Sequence, residues 1–317
     1  MKGYGIAMAE INLNLLNEAA SAPEAMIAEA ERRYHERVAE IAEYVTTHEQ
    51  IRVILLAGPS GSGKTTSANL IKDALIARGE HSMVISLDDF YRDQDDPDYP
   101  LNARGERDYE CPDSLNLEKL RTCLLDVIEN RPFSVPKYDF KSGSTVSVTE
   151  YQPLEHGCVI IEGLHALNPR IHEHLPSECV LKLFVSVSTN IENEDGRILS
   201  GRKMRFIRRL VRDSIYRGSS AEKTLSMWKN VLAAEDVYLY PYKASADMAF
   251  DTFHPFEPGV MKGFAKKLIS EKLAAADPYA EAVYYALSVV TEIDHKLVPS
   301  DSLIREFIPG GIYEALY

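Results

Sequence analysis

The eight residues Gly58-Pro59-Ser60-Gly61-Ser62-Gly63-Lys64-Thr65 constrain this chain more than any other stretch. Two glycines enclose four residues and are followed by Lys and Thr, the pattern of a phosphate-cradling P-loop. Backbone N–H groups must converge on phosphate oxygens, and glycine lets the chain turn tightly enough for that. The helix that follows directs its positive N-terminal end at the same anion. Lys64 can reach the outer phosphates, and Thr65 can place its hydroxyl on Mg²⁺. Residues 51–57 read as a buried strand entering the loop. Residues 65–78 read as the helix leaving it, with Ala68, Ile71 and Leu75 in phase and Gly79 as a stop. The expected nucleotide contacts are Gly58, Ser60, Gly61, Ser62, Gly63, Lys64, Thr65 and Thr66.

A phosphorylated ligand sits awkwardly with the overall charge. The 317 residues carry a net charge of −13, which argues against nucleic acid or an anionic membrane as the main partner. The cations must therefore be local. Residues 197–217 supply them: Arg197, Arg202, Lys203, Arg205, Arg208, Arg209, Arg212 and Arg217 stand against one acid, Asp213. On a helix, Arg205, Arg208, Arg209 and Arg212 share one face. Because guanidinium binds two phosphate oxygens at once, this stretch is expected to act as a phosphate-clamping lid. The four cysteines lack metal or C-x-x-C spacing, the N-terminus lacks a basic-then-apolar leader, and no apolar run reaches membrane-spanning length. A cytoplasmic protein is the expectation.

Other segments supply acids and rings. Residues 83–87 form an apolar strand running into Asp88, and 159–163 form another that contains Glu162. In open α/β sheets, ligands lie at the carboxyl ends of strands. Asp88 is thus placed beside the phosphates, and Glu162 suits a Mg²⁺-organising carboxylate. Residues 93–113 form a long polar loop. Residues 133–140 and 145–148 read as a hairpin projecting as a small lobe. In it, Tyr138 and Phe140 could stack on a flat ligand or form a seam beneath the lobe. His165 reads as a polar loop residue, and His172-Glu173-His174 as a solvated helix face. Further strands are expected at 180–185 and 246–250. At the N-terminus, a weak strand signal over Ile11, Leu13 and Leu15 precedes a capping box at 21–24 and a helix through Val45. Helices near 221–240, 260–274 and 280–297 could be packing elements or an oligomer surface.

Several motifs, in this order, resemble the uridine kinase and phosphoribulokinase family: GPSGSGKT, ISLDDFYR (85–92), PKYDFKSG (136–143), IIEGLHALNP (160–169) and RRLVRDSIYRG (208–218). The later EDVYLYPYKASADMAF (235–250) and DSLIREFIPGG (301–311) resemble the bacterial uridine kinase-like branch. The resemblance implies ATP as phosphate donor with Mg²⁺. Asp88 would be the catalytic base and Glu162 the Mg²⁺-associated carboxylate. Tyr91, Tyr109, Glu110, Tyr138 and Phe140 would line the nucleoside site, and Arg209, Arg212 and Arg217 would be lid and substrate-side arginines. Two positions depart from the pyrimidine nucleoside kinases: Gly143 replaces a base-reading His, and Glu110 replaces an Asp near the ribose.

The expected fold is α/β: a P-loop core with a parallel sheet flanked by helices, a β-hairpin substrate lobe, an Arg-rich lid and a helical C-terminal region. The expected divisions are an N-terminal helical extension (1–50), the kinase core (51–255, with the hairpin at 133–149 and the lid at 197–218) and a C-terminal region (256–317). The expected function is phosphorylation of a small-molecule hydroxyl, foremost the 5′-hydroxyl of a nucleoside. A sugar, sugar phosphate or polyol kinase is the second reading, and an ATP-binding regulatory protein the third.

Overall fold

A computed structural model describes residues 9–101 and 105–316. The N-terminal reading of residues 1–8 and the part of the polar loop at 102–104 lie outside these residues. The chain opens with β1 (Glu10–Asn12), α1 (Leu13–Ala19) and α2 (Pro23–Thr46), then β2 (Val53–Ala57), α3 (Lys64–Ile76) and β3 (His81–Ser86). Next come α4 (Leu117–Ile128), the hairpin β4 (Phe133–Asp139) and β5 (Ser144–Tyr151), β6 (Gly157–Glu162), the short α5 (Pro169–His172) and β7 (Val180–Ser186). The hairpin β8 (Asn190–Asn193) and β9 (Gly196–Leu199) leads into α6 (Gly201–Arg217) and α7 (Ala221–Tyr238). The last elements are β10 (Met248–Asp251), α8 (Glu257–Leu268), α9 (Glu271–Ala276) and α10 (Pro278–Val289).

Five strands form a parallel sheet in the order β10-β7-β2-β6-β3. A parallel sheet must be covered on both faces, and β2 shows how this is met. Its alternate residues point to opposite sides. Val53, Leu55 and Ala57 join an apolar cluster with β6 and α4, while Ile54 and Leu56 join a larger one with α2, α3, α6, α8 and α10. Because β2 is central and buried along its whole length, the loop that follows it starts from a fixed point.

Local chemistry sets several boundaries differently from the sequence reading. The capping box at 21–24 does not form. Ala22 is the N-cap of α2 without a side-chain bond, and the Ser21 hydroxyl donates to Glu18 O instead. Pro23 starts the helix, where its missing N–H costs nothing. The alternation at 11–15 yields only three strand residues, because Asn12 caps α1 by accepting from the Asn14 and Leu15 N–H groups. The helix expected at 260–274 is interrupted, and Ser270 caps a fresh start at α9. The partners of β1 in the small sheet β1-β8-β9, the strands β8 and β9, had no counterpart in the sequence reading.

Helix α6 differs most. Arg205 and Arg208, expected on the face of a phosphate-clamping lid, are fully buried. Arg205 makes a two-point pair with Glu235 of α7 at 2.8 and 2.9 Å. Arg208 pairs with Glu257 of α8 at 2.6 and 2.8 Å. The helix is therefore buried on nearly all sides, with its arginine face turned inward as well as its apolar one.

Removing one partner of such a pair leaves an uncompensated charge in the interior. Arg208→Ala should lower unfolding free energy by about 3–5 kcal/mol. Arg202→Ala, which breaks the exposed pair with Asp236, should cost less than about 1 kcal/mol. Equilibrium denaturation of both variants checks the contrast.

Glu31 of α2 is also buried, facing the His35 and His254 imidazoles at 3.9 Å each. Burial is the main cause that raises its carboxyl from 4.5 to about 7. The folded state then holds a proton that the unfolded chain releases, so this group lowers stability as pH rises through that window. Glu31→Gln should match the parent near pH 4. It should be more stable by on the order of 2 kcal/mol above pH 7, as read from denaturant midpoints across pH.

Candidate active site

The site begins where β2 ends. Gly58 runs so close to β7 that a Cβ there would lie 2.3 Å from Val185 O. Gly63 caps α3 in the left-handed region at φ 84°, which a residue with a Cβ rarely adopts. The two outer glycines of the motif are thus set by close approach and by handedness.

The buried arginines hold the back of this loop. Arg205 donates to Ser60 O at 2.9 Å and Arg208 to Gly61 O at 3.2 Å. The Thr252 hydroxyl donates to Ser62 O at 2.7 Å. A trans peptide points its C=O and N–H to opposite sides. Tying back the Ser60 and Ser62 carbonyls therefore turns the Gly61 and Gly63 N–H groups the other way. Glu235 accepts from Ser60 N at 2.8 Å, completing the brace. Glu235, Glu257 and Thr252 were not among the residues singled out in the sequence, since they lie tens of residues from their arginine partners.

In front of the loop is a cavity of ≈ 250 Å³. Ser60, Gly61, Lys64 and Thr65 line it from the P-loop, Asp88 and Tyr91 from the segment after β3, Glu162 from the end of β6, and Arg209, Arg212 and Arg217 from α6. The sequence assigned chemistry to all of these, and the fold brings them to one place. Gly58, Ser62, Gly63 and Thr66, also expected as nucleotide contacts, are not among the residues that line it.

The two acids are tied through one hydroxyl. Ser86 donates to Glu162 Oε1 at 3.0 Å and accepts from Asp88 N at 3.3 Å. Burial raises Glu162 to about 7, partly offset by Lys64 and reinforced by Asp88. Asp88 opens to the cavity, yet the surrounding protein raises its carboxyl, again opposed by Lys64. Lys64 meanwhile donates to Pro59 O at 3.2 Å.

Asp213 gathers the outer arginines. It lies 3.2 Å from Arg209, 3.0 Å from Arg212 and 3.4 Å from Arg217. Arg209 also donates to the Ser60 hydroxyl at 2.9 Å. Counted in the sequence as a lone acid among cations, Asp213 is the buried counter-charge that aligns them. Of the remaining basic residues in the stretch, Arg197 and Arg202 pair with Glu192 and Asp236 in solvent.

The hairpin packs against the segment after β3, and among the described residues none of its side chains lines this cavity. Asp89 binds Lys137 at 3.0 Å and Tyr138 N at 3.4 Å, and Asp93 accepts from Thr145 N at 2.7 Å. Tyr91, Tyr138 and Phe140 form a cluster with ring centroids 5.1–5.7 Å apart. Tyr91 donates to Tyr109 O at 3.0 Å, and Tyr109 packs on Tyr99 at 5.5 Å. Glu110 reaches the cavity wall. Gly143 has φ 69°, and a Cβ there would meet the Gln94 side chain at 2.4 Å. A histidine at that position would need both a strained backbone and a displaced Gln94. His165, read as a polar loop residue, is instead buried on the cavity wall, edge-on to Tyr238 at 5.9 Å. Burial pushes its pKa down to about 4.

Among the described residues, no group of three or more His, Cys, Asp or Glu side chains could hold a metal ion. The donor set of Thr65, Asp88 and Glu162 on one cavity does fit Mg²⁺. That ion keeps several waters and takes one or two carboxylates plus phosphate oxygens. Among the described residues, no helix is long and apolar enough to cross a membrane.

Residues 53–255 match the family described as phosphoribulokinase/uridine kinase. A uridine kinase of Deinococcus deserti is 31% identical over 205 residues, covering 64% of this chain and 89% of that protein. A uridine kinase of Lactobacillus helveticus is 30% identical over 203 residues, covering 62% and 84%. A solved structure from Silicibacter sp. TM1040, provisionally named a fructose transport system kinase, is 19% identical. It covers 67% of this chain and 98% of that one with a TM-score of 0.45, which carries no argument about substrate. The P-loop, the parallel sheet and a match over residues 53–255 agree: the chain is a P-loop kinase belonging to the phosphoribulokinase and uridine kinase family.

Proposed function

We propose that the protein transfers the terminal phosphoryl group of ATP to the hydroxyl of a small molecule, foremost the 5′-hydroxyl of a nucleoside. The observation that carries this reading is the convergence of Lys64, Thr65, Asp88, Glu162 and three arginines on one cavity. The phosphate chain would lie on the P-loop, with Lys64 on its outer oxygens. Thr65, Asp88 and Glu162 would hold Mg²⁺, which supplies charge neutralisation to the phosphates when bound.

Asp88 orients the acceptor hydroxyl and takes its proton. The hydroxyl oxygen forms a bond to the γ-phosphorus, the bond to the bridging oxygen breaks, and ADP departs with that electron pair. The transition state is loose, so positioning and electrostatics supply most of the acceleration. In this scheme Arg209, Arg212 and Arg217 exchange Asp213 for phosphoryl oxygens as charge develops. Tyr91, Tyr138 and Phe140 hold a flat ring, while Tyr109 and Glu110 border the sugar.

A second reading is a kinase of a non-nucleoside hydroxyl compound. The observation favouring it is Gly143, where the Gln94 side chain fills the space that a base-reading residue would need. Purified protein with ATP and Mg²⁺, assayed against nucleosides, sugars, sugar phosphates and polyols, separates the two. Product from a nucleoside is expected. Product from a polyol or sugar alone would move the assignment to the second reading.

Asp88→Asn should retain ATP binding while lowering kcat by about 10²–10⁴-fold. Turnover within a factor of a few of the parent would rule out Asp88 as the base.

A further inference from the structure

The motif at 301–311 takes no part in the scheme above, and it lies beyond the family-matched residues 53–255. Its apolar residues are seated on the P-loop side of the core. Leu303, Ile304, Phe307 and Ile308 are all fully buried. Leu303 rests against Gly63 so closely that a Cβ on the glycine would lie 2.7 Å from the leucine methyl. The Phe307 ring lies 5.1 Å from the Arg208 guanidinium. Further along, Tyr313 donates to Asp73 on α3.

This apolar strip delivers one charge. Glu306 is 4% exposed and lines the same cavity as Lys64 and Thr65. Its Oε2 accepts from Thr66 N at 3.2 Å and from the Thr66 hydroxyl at 3.0 Å. Its Oε1 lies 4.0 Å from Arg212. Thr66 N–H is among the first four of α3, which have no carbonyl partner in their own helix. That helix end is where a P-loop receives phosphate. A carboxylate fills the position as an anion of the same sign.

We propose that Glu306 occupies a phosphate position of the P-loop helix, so that a bound phosphate chain and the seated C-terminal segment compete. Glu306 then sets donor affinity: binding must displace its carboxylate from Thr66 or work against its charge. The inference rests on the reading of this cavity as the donor site, deepening it by naming the residue that opposes occupancy. A purely structural cap would make the opposite prediction, because losing it would loosen α3 and weaken binding.

Glu306→Gln keeps an acceptor for Thr66 and removes the charge. Calorimetric titration with inorganic pyrophosphate and with Mg²⁺-ADP should show binding to the variant about five- to tenfold tighter than to the parent, most clearly at low salt. Unchanged or weaker binding of both ligands would overturn the proposal. Tighter pyrophosphate binding with no binding of ADP to either protein would uphold the role of Glu306 and discard the nucleotide reading. Hydrogen exchange on the unmodified protein gives an independent readout should the variant fold poorly. Amides at 301–311 should exchange faster when pyrophosphate is bound, and greater protection there would overturn the proposal.

Discussion

Two guanidinium groups behind the P-loop fix the rest of the site. Burying an arginine is costly unless its charge is paired and its donors are satisfied. Arg205 and Arg208 meet that condition with Glu235, Glu257, Thr252 and the carbonyls of Ser60 and Gly61. The same bonds that satisfy the arginines orient the loop. One network thus couples α6, α7 and α8 to the phosphate cradle. A shift in any of those helices would reach the loop through rigid, two-point contacts rather than through apolar packing alone.

The arginines on the outer side of α6 work differently. Arg209, Arg212 and Arg217 sit close enough to repel one another, and Asp213 offsets that repulsion. Burial further disfavours the charged form of Arg209. A cluster under such tension gains by meeting a polyanion. On one helix, two arginines are fully committed to the fold, while three share one neighbouring acid, with Arg209 also bonded to the Ser60 hydroxyl and Arg212 near Glu306.

Much of this was legible in the sequence because it depends on local pattern. The strand, glycine loop and helix at 53–76 are written in consecutive residues. Asp88 and Glu162 are legible because apolar runs lead into them and parallel strands end on one edge. The hairpin and its Tyr138–Phe140 pair follow from alternation. The partners of α6 were not legible. Helical periodicity says which residues share a face but not what lies across from it, and Glu235 and Glu257 stand 30 and 49 residues from the arginines they neutralise. His165 escaped for a related reason, since its burial depends on α7. The β8–β9 hairpin is four residues a side, too short for alternation to stand out from its polar neighbours.

Both ends of the described chain converge on the helix that follows the P-loop. Helix α2 packs along α3 from one side, with Tyr34 hydrogen-bonded to Ser67 at 2.7 Å. The segment at 301–308 packs on α3 from another side, and Asn17 ties the N-terminal part to Val289 and Thr291. The residues that match the family are therefore not a self-sufficient piece of this protein. Trimming the chain to 53–255 would strip α3 of its cover on two flanks. A fragment cut at those points would be expected to aggregate rather than to report on catalysis.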